Sequence, residues 1–357
     1  MNSLIKDWTD QLFDAAETGR KLNIRGGGSK SFYGGAETGD LLDVSVNRGI
    51  VNYEPTELVV TVRAGTPLAE LQAILAEKGQ CLPFEPPHFG PGATVGGMVA
   101  TGLSGPRRQA VGAVRDFVLG VKLLDGKGEL LSFGGQVMKN VAGYDVPRLM
   151  AGSMGTLGIL LEVSLKVLPL PVAEKTLRFV MSEADALEKL NLWGGRPLPI
   201  SASAWSDGAL TLRLSGAEAA VAAATLKLGG EVVNAPDAFW ISVREQTHAF
   251  FAADAASAAP LWRLSVPSVA PSLNLGTTLI EWGGALRWLR GGDVQLIRTA
   301  AEQVGGHATL FRGEHALKVS TGVFQPLSAP LARIHRNIKS AFDPHGVFNH
   351  GRMYPDL

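Results

Sequence analysis

Residues 24–35, IRGGGSKSFYGG, run three glycines into Ser29-Lys30-Ser31 behind a short apolar stretch. Consecutive glycines after a strand can turn several backbone N–H groups into one concavity, a nest for an anion such as phosphate. The run fails both common phosphate motifs. A P-loop needs glycine directly before its lysine, where Ser29 stands, and a dinucleotide fingerprint needs a third glycine where Ser31 stands. Taken alone, in a chain with 43 glycines, the run reads more readily as a surface turn than as an anion nest. Two further segments change its meaning. FGPGATVGGMVATGLSG (89–105) carries Thr94, Gly96 and Gly97 among small residues, and AGSMGTLGILLEVSLKVLP (151–169) sets Gly155 and Gly158 ahead of an alternating run. Three such loops suggest a long, diphosphate-containing ligand lying in an extended groove.

Other chemistry is thinner. Seven histidines are present, and HATLFRGEH, with His307, Glu314 and His315, is the nearest approach to a metal-ligand cluster. His307 follows Gly305-Gly306 as Glu231 follows Gly229-Gly230 in an apparent internal repeat, so it reads as the start of an ordinary strand and no metal site is expected. The single cysteine, Cys81, excludes an internal disulfide and any four-cysteine iron–sulfur or zinc site made by this chain alone. The 33 basic residues balance 33 acidic ones, without the basic face that nucleic-acid binding needs. No apolar run is long enough to span a membrane. The first residues read as an amphipathic helix, not a signal peptide, which makes the cytoplasm the default compartment.

The elements that must hold the loops can be read from punctuation and period. KLNI (21–24) is a strand entering the first loop. ELVVTVRAGTPLAELQAILAEKG is a strand and a helix, with Thr66 as N-cap, Pro67 at the first helical position and Gly79 closing the end. DFVLGVKLLDGKGELLSF is a hairpin turning at Asp125-Gly126. In GILLEVSLKVLP, Ile159, Leu161, Val163, Leu165 and Val167 share one face, and Glu162, Ser164 and Lys166 the other. Beyond Pro169 and Pro171 the order becomes strand, helix, two strands, helix, strand. It recurs from LWRLSVP through a short helical connection to HATLF. AWSDGALTLRLSG (204–216) parallels EWGGALRWLRG (281–291), matching Trp205 with Trp282 at the loss of one residue in the turn. Two such halves can pair edge to edge into one antiparallel sheet with helices on one face. The last helix places Leu331, Ile334 and Ile338 on one side.

The strings RGGGSK, TVGGMVATG, KNVAGYD and GSMGTLGI, in that order and spacing, resemble the FAD-binding domain of the vanillyl-alcohol-oxidase (PCMH-type) family. The run from SGPRRQAVGAVRDF to GSMGTLGIL, with FDPHGVFNHGRM near the end, is similar to the flavin-carrying subunits of bacterial glycolate-oxidising complexes. The likeness is specific over the glycine loops and weaker across 175–310. It implies an α+β fold: a PCMH-type domain of two α/β subdomains over 1–171, a ferredoxin-like duplicated antiparallel-sheet cap over 172–312, and a helix and tail over 313–357 returning to the first domain. It also departs in places. The usual strand before the first helix is missing, and the tail reads Asn349-His350-Gly351 where relatives read asparagine-proline-glycine.

The resemblance assigns roles by position. Gly26, Gly27, Gly28, Ser29 and Lys30 would cradle the FAD pyrophosphate, Thr94, Gly96, Gly97 and Thr101 would meet it from the facing loop, and Ile159 would contact the adenosine half through its backbone. Relatives with covalent flavin often carry a histidine just after the first two glycines; Gly28 and Ser29 stand here, which implies non-covalent FAD. The histidine-rich metal stretch of dehydrogenase relatives is absent. Lys139 and Arg352 are the candidate cations for the flavin's N1–C2 edge or a substrate carboxylate. The function implied is that of the FAD-binding subunit of a complex oxidising glycolate to glyoxylate. Its implied partners are a larger flavoprotein subunit and an iron–sulfur subunit, through which the chain would lie peripheral to the inner membrane. An autonomous FAD-dependent 2-hydroxy-acid dehydrogenase and a non-catalytic scaffold are the alternatives. Arg107-Arg108, as an exposed loop pair, and Trp193 are the expected docking residues.

Overall fold

The computed structural model describes residues 2–135, 144–252 and 259–357. The N-terminal part opens with α1 (Asn2–Thr18), β1 (Leu22–Arg25) and β2 (Asp40–Asp43), the two strands running parallel. It continues through β3 (Ile50–Glu54), β4 (Val59–Arg63), α2 (Leu68–Ala76), β5 (Gln80–Cys81), α3 (Val95–Thr101), α4 (Arg108–Val111), β6 (Val118–Leu124), β7 (Leu130–Gly134), α5 (Val146–Met150), β8 (Ile159–Lys166) and β9 (Leu168–Pro169). Five of these strands form an antiparallel sheet in the order β3-β4-β8-β6-β7. β8 is its centre, and there both faces are covered. Leu160 is buried as well as the odd-numbered set, and Ser164 is buried by sharing a 2.8 Å hydrogen bond with Thr61 of β4.

α1 buries Trp8, Leu12 and Ala15 against β1, β2 and the C-terminal Val347 and Phe348. These residues are spaced at four and three positions, the period that puts one stripe of a helix on the core. The start of α2 differs from expectation. Pro67 occupies the cap position, and the Thr66 hydroxyl instead donates to the Arg63 carbonyl and accepts from the Gly49 N–H. Thr66 therefore ties the strand end to a neighbouring turn.

The cap is built from β10 (Ala173–Val180), α6 (Glu183–Gly194), β11 (Ile200–Ser206), β12 (Ala209–Gly216), α7 (Glu218–Leu228) and β13 (Glu231–Val232). After α8 (Asp237–Arg244) and α9 (Ala249–Ala252) come β14 (Leu261–Ser265), β15 (Thr278–Glu281), β16 (Leu286–Arg290), α10 (Val294–Gln303) and β17 (His307–Arg312). Their eight strands form one antiparallel sheet in the order β13-β10-β12-β11-β15-β16-β14-β17. The second half repeats the first in mirrored order, and the two join where Ala204 pairs with Glu281 and Trp205 with Ile280. This is the duplicated sheet expected from the repeat.

Two details of the repeat are corrected. The connection between β14 and β15 contains no helix, so α6 has no counterpart. The letter-by-letter match of β12 with β16 also fails in space. Leu210 and Leu212 face α6, beside Ala186, Leu190 and Trp193, whereas Leu286 and Trp288 face the N-terminal part beside Tyr33, Leu103 and Met154. A one-residue offset sends every side chain of a strand to the other face.

The chain closes with α11 (His315–Thr321) and α12 (Ala329–Phe342). The expected apolar side of α12 is only partly used. Ile338 packs on the main core, but Leu331 and Ile334 are each 49% exposed. What anchors α12 is polar. Lys339 Nζ bonds Asp343 at 2.7 Å and the carbonyls of Thr156 and Phe348, while Asp343 accepts from the N–H groups of Val347 and Phe348. That network carries the tail back to the glycine loops.

Candidate cofactor site

The three glycine segments and the tail converge on one cavity. Its walls include Gly26 to Ser31 from the first loop, Thr94, Gly96, Gly97 and Thr101 from the second, Gly155 and Gly158 from the third, and Asn349 and Arg352 from the tail. The first loop is a nest in the physical sense. The backbone N–H groups of Gly26, Gly27, Gly28, Ser29 and Lys30 donate to no other described residue. Beside them the Arg25 Nε is buried without a partner. Buried donors are normally satisfied, so a row of free ones marks a place for acceptor oxygens.

Glycine is needed at Gly27 because two backbones touch: a Cβ there would stand 1.3 Å from the Gly92 carbonyl oxygen. The facing loop is held by Thr94, whose hydroxyl accepts from the Gly97 N–H, and by Thr101, whose hydroxyl donates to the Gly97 carbonyl at 2.8 Å. The Ile159 side chain points away, into the core under α1, while its neighbours Gly158 and Leu160 line the cavity.

Lys30 is 7% exposed and its Nζ donates to the His88 carbonyl at 3.1 Å. Burial pulls its pKa down to about 8, against the raising influence of Glu245. Glu245, just after α8, accepts the N–H groups of His88 and Phe89 and so locks the cap onto the second loop. Arg352 lines the cavity with its guanidinium already engaged, donating to the carbonyls of Ser31, Tyr33 and Gly35. It therefore shapes the first loop; it is not a free grip for a carboxylate. Lys139, the other candidate cation, lies outside the described residues, as does most of KNVAGYD.

Several expectations for the remaining residues change. Arg107 is not an exposed docking residue. Its side chain is 12% exposed and pairs with Glu174 of the cap and, at 3.6 Å, with Glu85. Arg108 stacks over Trp282 at 4.3 Å. Trp193 is buried against Phe179 inside the cap. His307 opens β17 and His315 opens α11. Among the described residues no three His, Cys, Asp or Glu side chains stand close enough to hold a metal.

Two site residues had no role assigned to them from the sequence. Asn349 Oδ1 accepts from the Ile24 N–H at 2.7 Å and its Nδ2 donates to the Met154 carbonyl at 2.7 Å, stitching first loop, third loop and tail together. Gly155 makes room for it, since a Cβ there would lie 2.5 Å from that Nδ2. Arg25 was visible in RGGGSK, yet only its orphaned Nε in the cavity gives it a role.

Comparison with known proteins agrees with this geometry. A family model described as FAD binding domain matches residues 7–134. Among solved structures, alkyldihydroxyacetonephosphate synthase superposes over 96% of this chain and 75% of its own, with a TM-score of 0.66 and 14% identity, a likeness of fold alone. The Bacillus subtilis glycolate oxidase subunit GlcD is 34% identical over 137 residues, 38% of this chain and 29% of that protein. The Escherichia coli glycolate oxidase subunit GlcE is 51% identical over 350 residues, which is 98% of this chain and 97% of that protein. With that identity sustained across glycine loops, duplicated sheet and tail alike, the chain belongs to the family of the glycolate oxidase subunit GlcE.

Proposed function

We propose that the chain is the FAD-binding subunit of a glycolate-oxidising complex. The observation that carries the reading is the row of five free backbone N–H groups facing two further glycine loops across one cavity, in a chain half identical to GlcE along its whole length. In this reading Gly26, Gly27, Gly28, Ser29 and Lys30 hold the pyrophosphate, with Thr94, Gly96, Gly97 and Thr101 opposite and the backbone at Ile159 beside the adenosine. Bound FAD supplies hydride acceptance from the carbon bearing the substrate hydroxyl. The protein's part is to bind and orient it. Arg352 fixes the loop carbonyls, Lys30 adds positive charge near the phosphates, and Glu245 keeps the cap closed so that water is excluded.

The division into 1–171, 172–312 and 313–357 belongs to the same proposal, as does non-covalent attachment, since no histidine follows the first glycines. The partners proposed are a larger flavoprotein subunit and an iron–sulfur subunit, because Cys81 alone cannot ligate a cluster. No helix among the described residues is long and apolar enough to cross a membrane, so any membrane contact would be peripheral and made through the complex. The purified chain should show flavin absorbance, and acid precipitation should release FAD into the supernatant. A pellet that keeps its colour contradicts non-covalent binding, and a colourless chain that cannot be reconstituted contradicts the reading as a whole.

A further inference from the structure

A cleft that shares no wall residue with the cofactor cavity opens between α2 and β5 of the N-terminal part and β10, β12 and α8 of the cap. Its volume of about 340 Å³ is room for a small molecule. The charged walls balance. Arg107, Arg213 and Arg244 stand against Glu85, Glu174 and Asp237, so the space carries no net charge to favour a simple anion or a simple cation.

Four of these groups satisfy one another. Glu85 takes Arg213 at 2.8 Å and lies 3.6 Å from Arg107, which also pairs with Glu174. Asp237 and Arg244 are left over. Asp237 makes no hydrogen bond or ion pair with any described residue. Arg244 gives only its Nε, to Glu245 at 2.7 Å, and both of its Nη nitrogens are without a described partner. Glu245 is itself engaged by the N–H groups of His88 and Phe89.

The two leftover charges end one face of α8. Asp237, Trp240, Ile241 and Arg244 recur at the spacing of a single helical stripe, and all four line the cleft. The stripe reads acid, aromatic, aliphatic, base, with its charged ends two turns, about 10 Å, apart along the axis. Trp240 is a fixed floor, 4% exposed, with its Nε1 donating to the Thr176 hydroxyl at 3.0 Å. Ile241 and Leu170, on the walls, are 48% and 50% exposed. Bare apolar surface thus accompanies the two unpaired charges, and a ligand that covers it removes that surface from water.

We propose that this cleft binds a small linear zwitterion, in chemical class an ω-amino acid, laid along α8 with its ammonium at Asp237 and its carboxylate at Arg244. The hydrocarbon chain between the ligand's charges covers Trp240 and Ile241. An α-amino acid carries its charges on adjacent carbons and reaches one end of the stripe only. Because the walls belong to both parts of the molecule, the bound ligand also holds the cap against the N-terminal part.

The test is calorimetric titration of the full-length, flavin-loaded chain at low ionic strength, where partly exposed charges are least screened. The probes are ε-aminocaproate, caproate without the ammonium, hexylamine without the carboxylate, and glycine with its charges adjacent. The zwitterion should bind, each of the other three should bind at least tenfold more weakly, and saturating ε-aminocaproate should raise the melting temperature. Asp237→Asn should abolish the preference for ε-aminocaproate over caproate at unchanged flavin content. Arg244→Gln should abolish the preference over hexylamine. If Arg244→Gln does not fold, Asp237→Asn and the four probes decide, since the Asp237 side chain stands at the surface. Absent binding of ε-aminocaproate, equal binding of any control probe, or a preference that survives in its variant overturns the site. A parent chain that takes up no flavin overturns the FAD reading instead, and the same titration of that chain still judges the cleft.

Discussion

Gly27 and Gly92 meet backbone to backbone, so closely that a single methyl on Gly27 would fall 1.3 Å from the Gly92 carbonyl oxygen. The contact holds the first two glycine loops face to face, and no rotamer can relieve a clash made by Cβ itself. Gly27→Ala should therefore abolish FAD retention and destabilise the apo chain by about 2 kcal/mol or more, within the range of severe backbone clashes. Gly97→Ala is the contrasting case. Its Cβ meets only the Thr94 Oγ1, at 3.1 Å, and alanine favours a helix. It should melt no lower than the parent while holding FAD less well, because the new methyl enters the cavity. Thermal melts with flavin content for the two variants check this; equal retention in both would remove the facing loop from the site.

Lys30 gives the site a pH dependence with a definite sign. Its pKa falls from 10.5 in the unfolded chain to about 8 in the folded apo protein. Between those values the unfolded state binds more protons, so apo stability should rise as pH climbs from 8 to 10.5, by up to about 3 kcal/mol. FAD retention runs the other way. The pyrophosphate favours the protonated amine, so affinity should be level below pH 8 and fall above it, by at most tenfold per pH unit. Lys30→Met should remove both slopes. Equilibrium dialysis from pH 7 to 10 is the measurement, and a slope that survives in Lys30→Met assigns it to another group.

The glycine loops and the alternation of β8 were legible because both are local. A glycine run needs no partner to suggest a close approach, and period two survives even in a strand covered on both faces. The duplicated sheet was legible as an order of elements but not as a register. A letter match with one residue lost placed Leu212 opposite Trp288, and those residues lie on opposite faces. Asn349 could not be found from sequence, since its partner Ile24 is 325 positions away and an asparagine in a tail turn has many local explanations. Arg107 misled for the complementary reason. A double arginine beside glycine and proline reads as exposed loop until Glu85 and Glu174 fold against it.

Arg352 organises the first loop from the far end of the chain by donating to three carbonyls between Ser31 and Gly35. Removing it leaves those carbonyls buried and unpaired, at about 1–3 kcal/mol each where water cannot enter. Arg352→Met should weaken FAD binding by at least about tenfold. Arg352→Lys should rescue little, because one ammonium cannot reproduce the planar fork. A lysine variant that binds FAD like the parent would reduce the arginine's role to its charge.

The ion cluster at Glu85 makes the final case, since it separates a joint within the molecule from a surface for partners. Glu85 accepts the Arg107 N–H at 2.9 Å and the Arg213 Nη2 at 2.8 Å, and Arg107 reaches on to Glu174. Two arginines, one from each side of the interface, thus depend on a carboxylate whose side chain is only 19% exposed. Glu85→Ala strands Arg213 and leaves Arg107 with Glu174 as its counter-charge, and the expected loss is about 2–4 kcal/mol, somewhat under the value for a fully buried pair. Glu85→Gln keeps an acceptor for the Arg107 N–H and should lose less. Because the cluster joins the cap to the N-terminal part, calorimetry of Glu85→Ala should resolve two transitions where the parent shows one. Arg107→Ala should lower the melting temperature and leave capture of partner subunits unchanged. A variant that melts like the parent but no longer captures them would restore Arg107 as a docking residue.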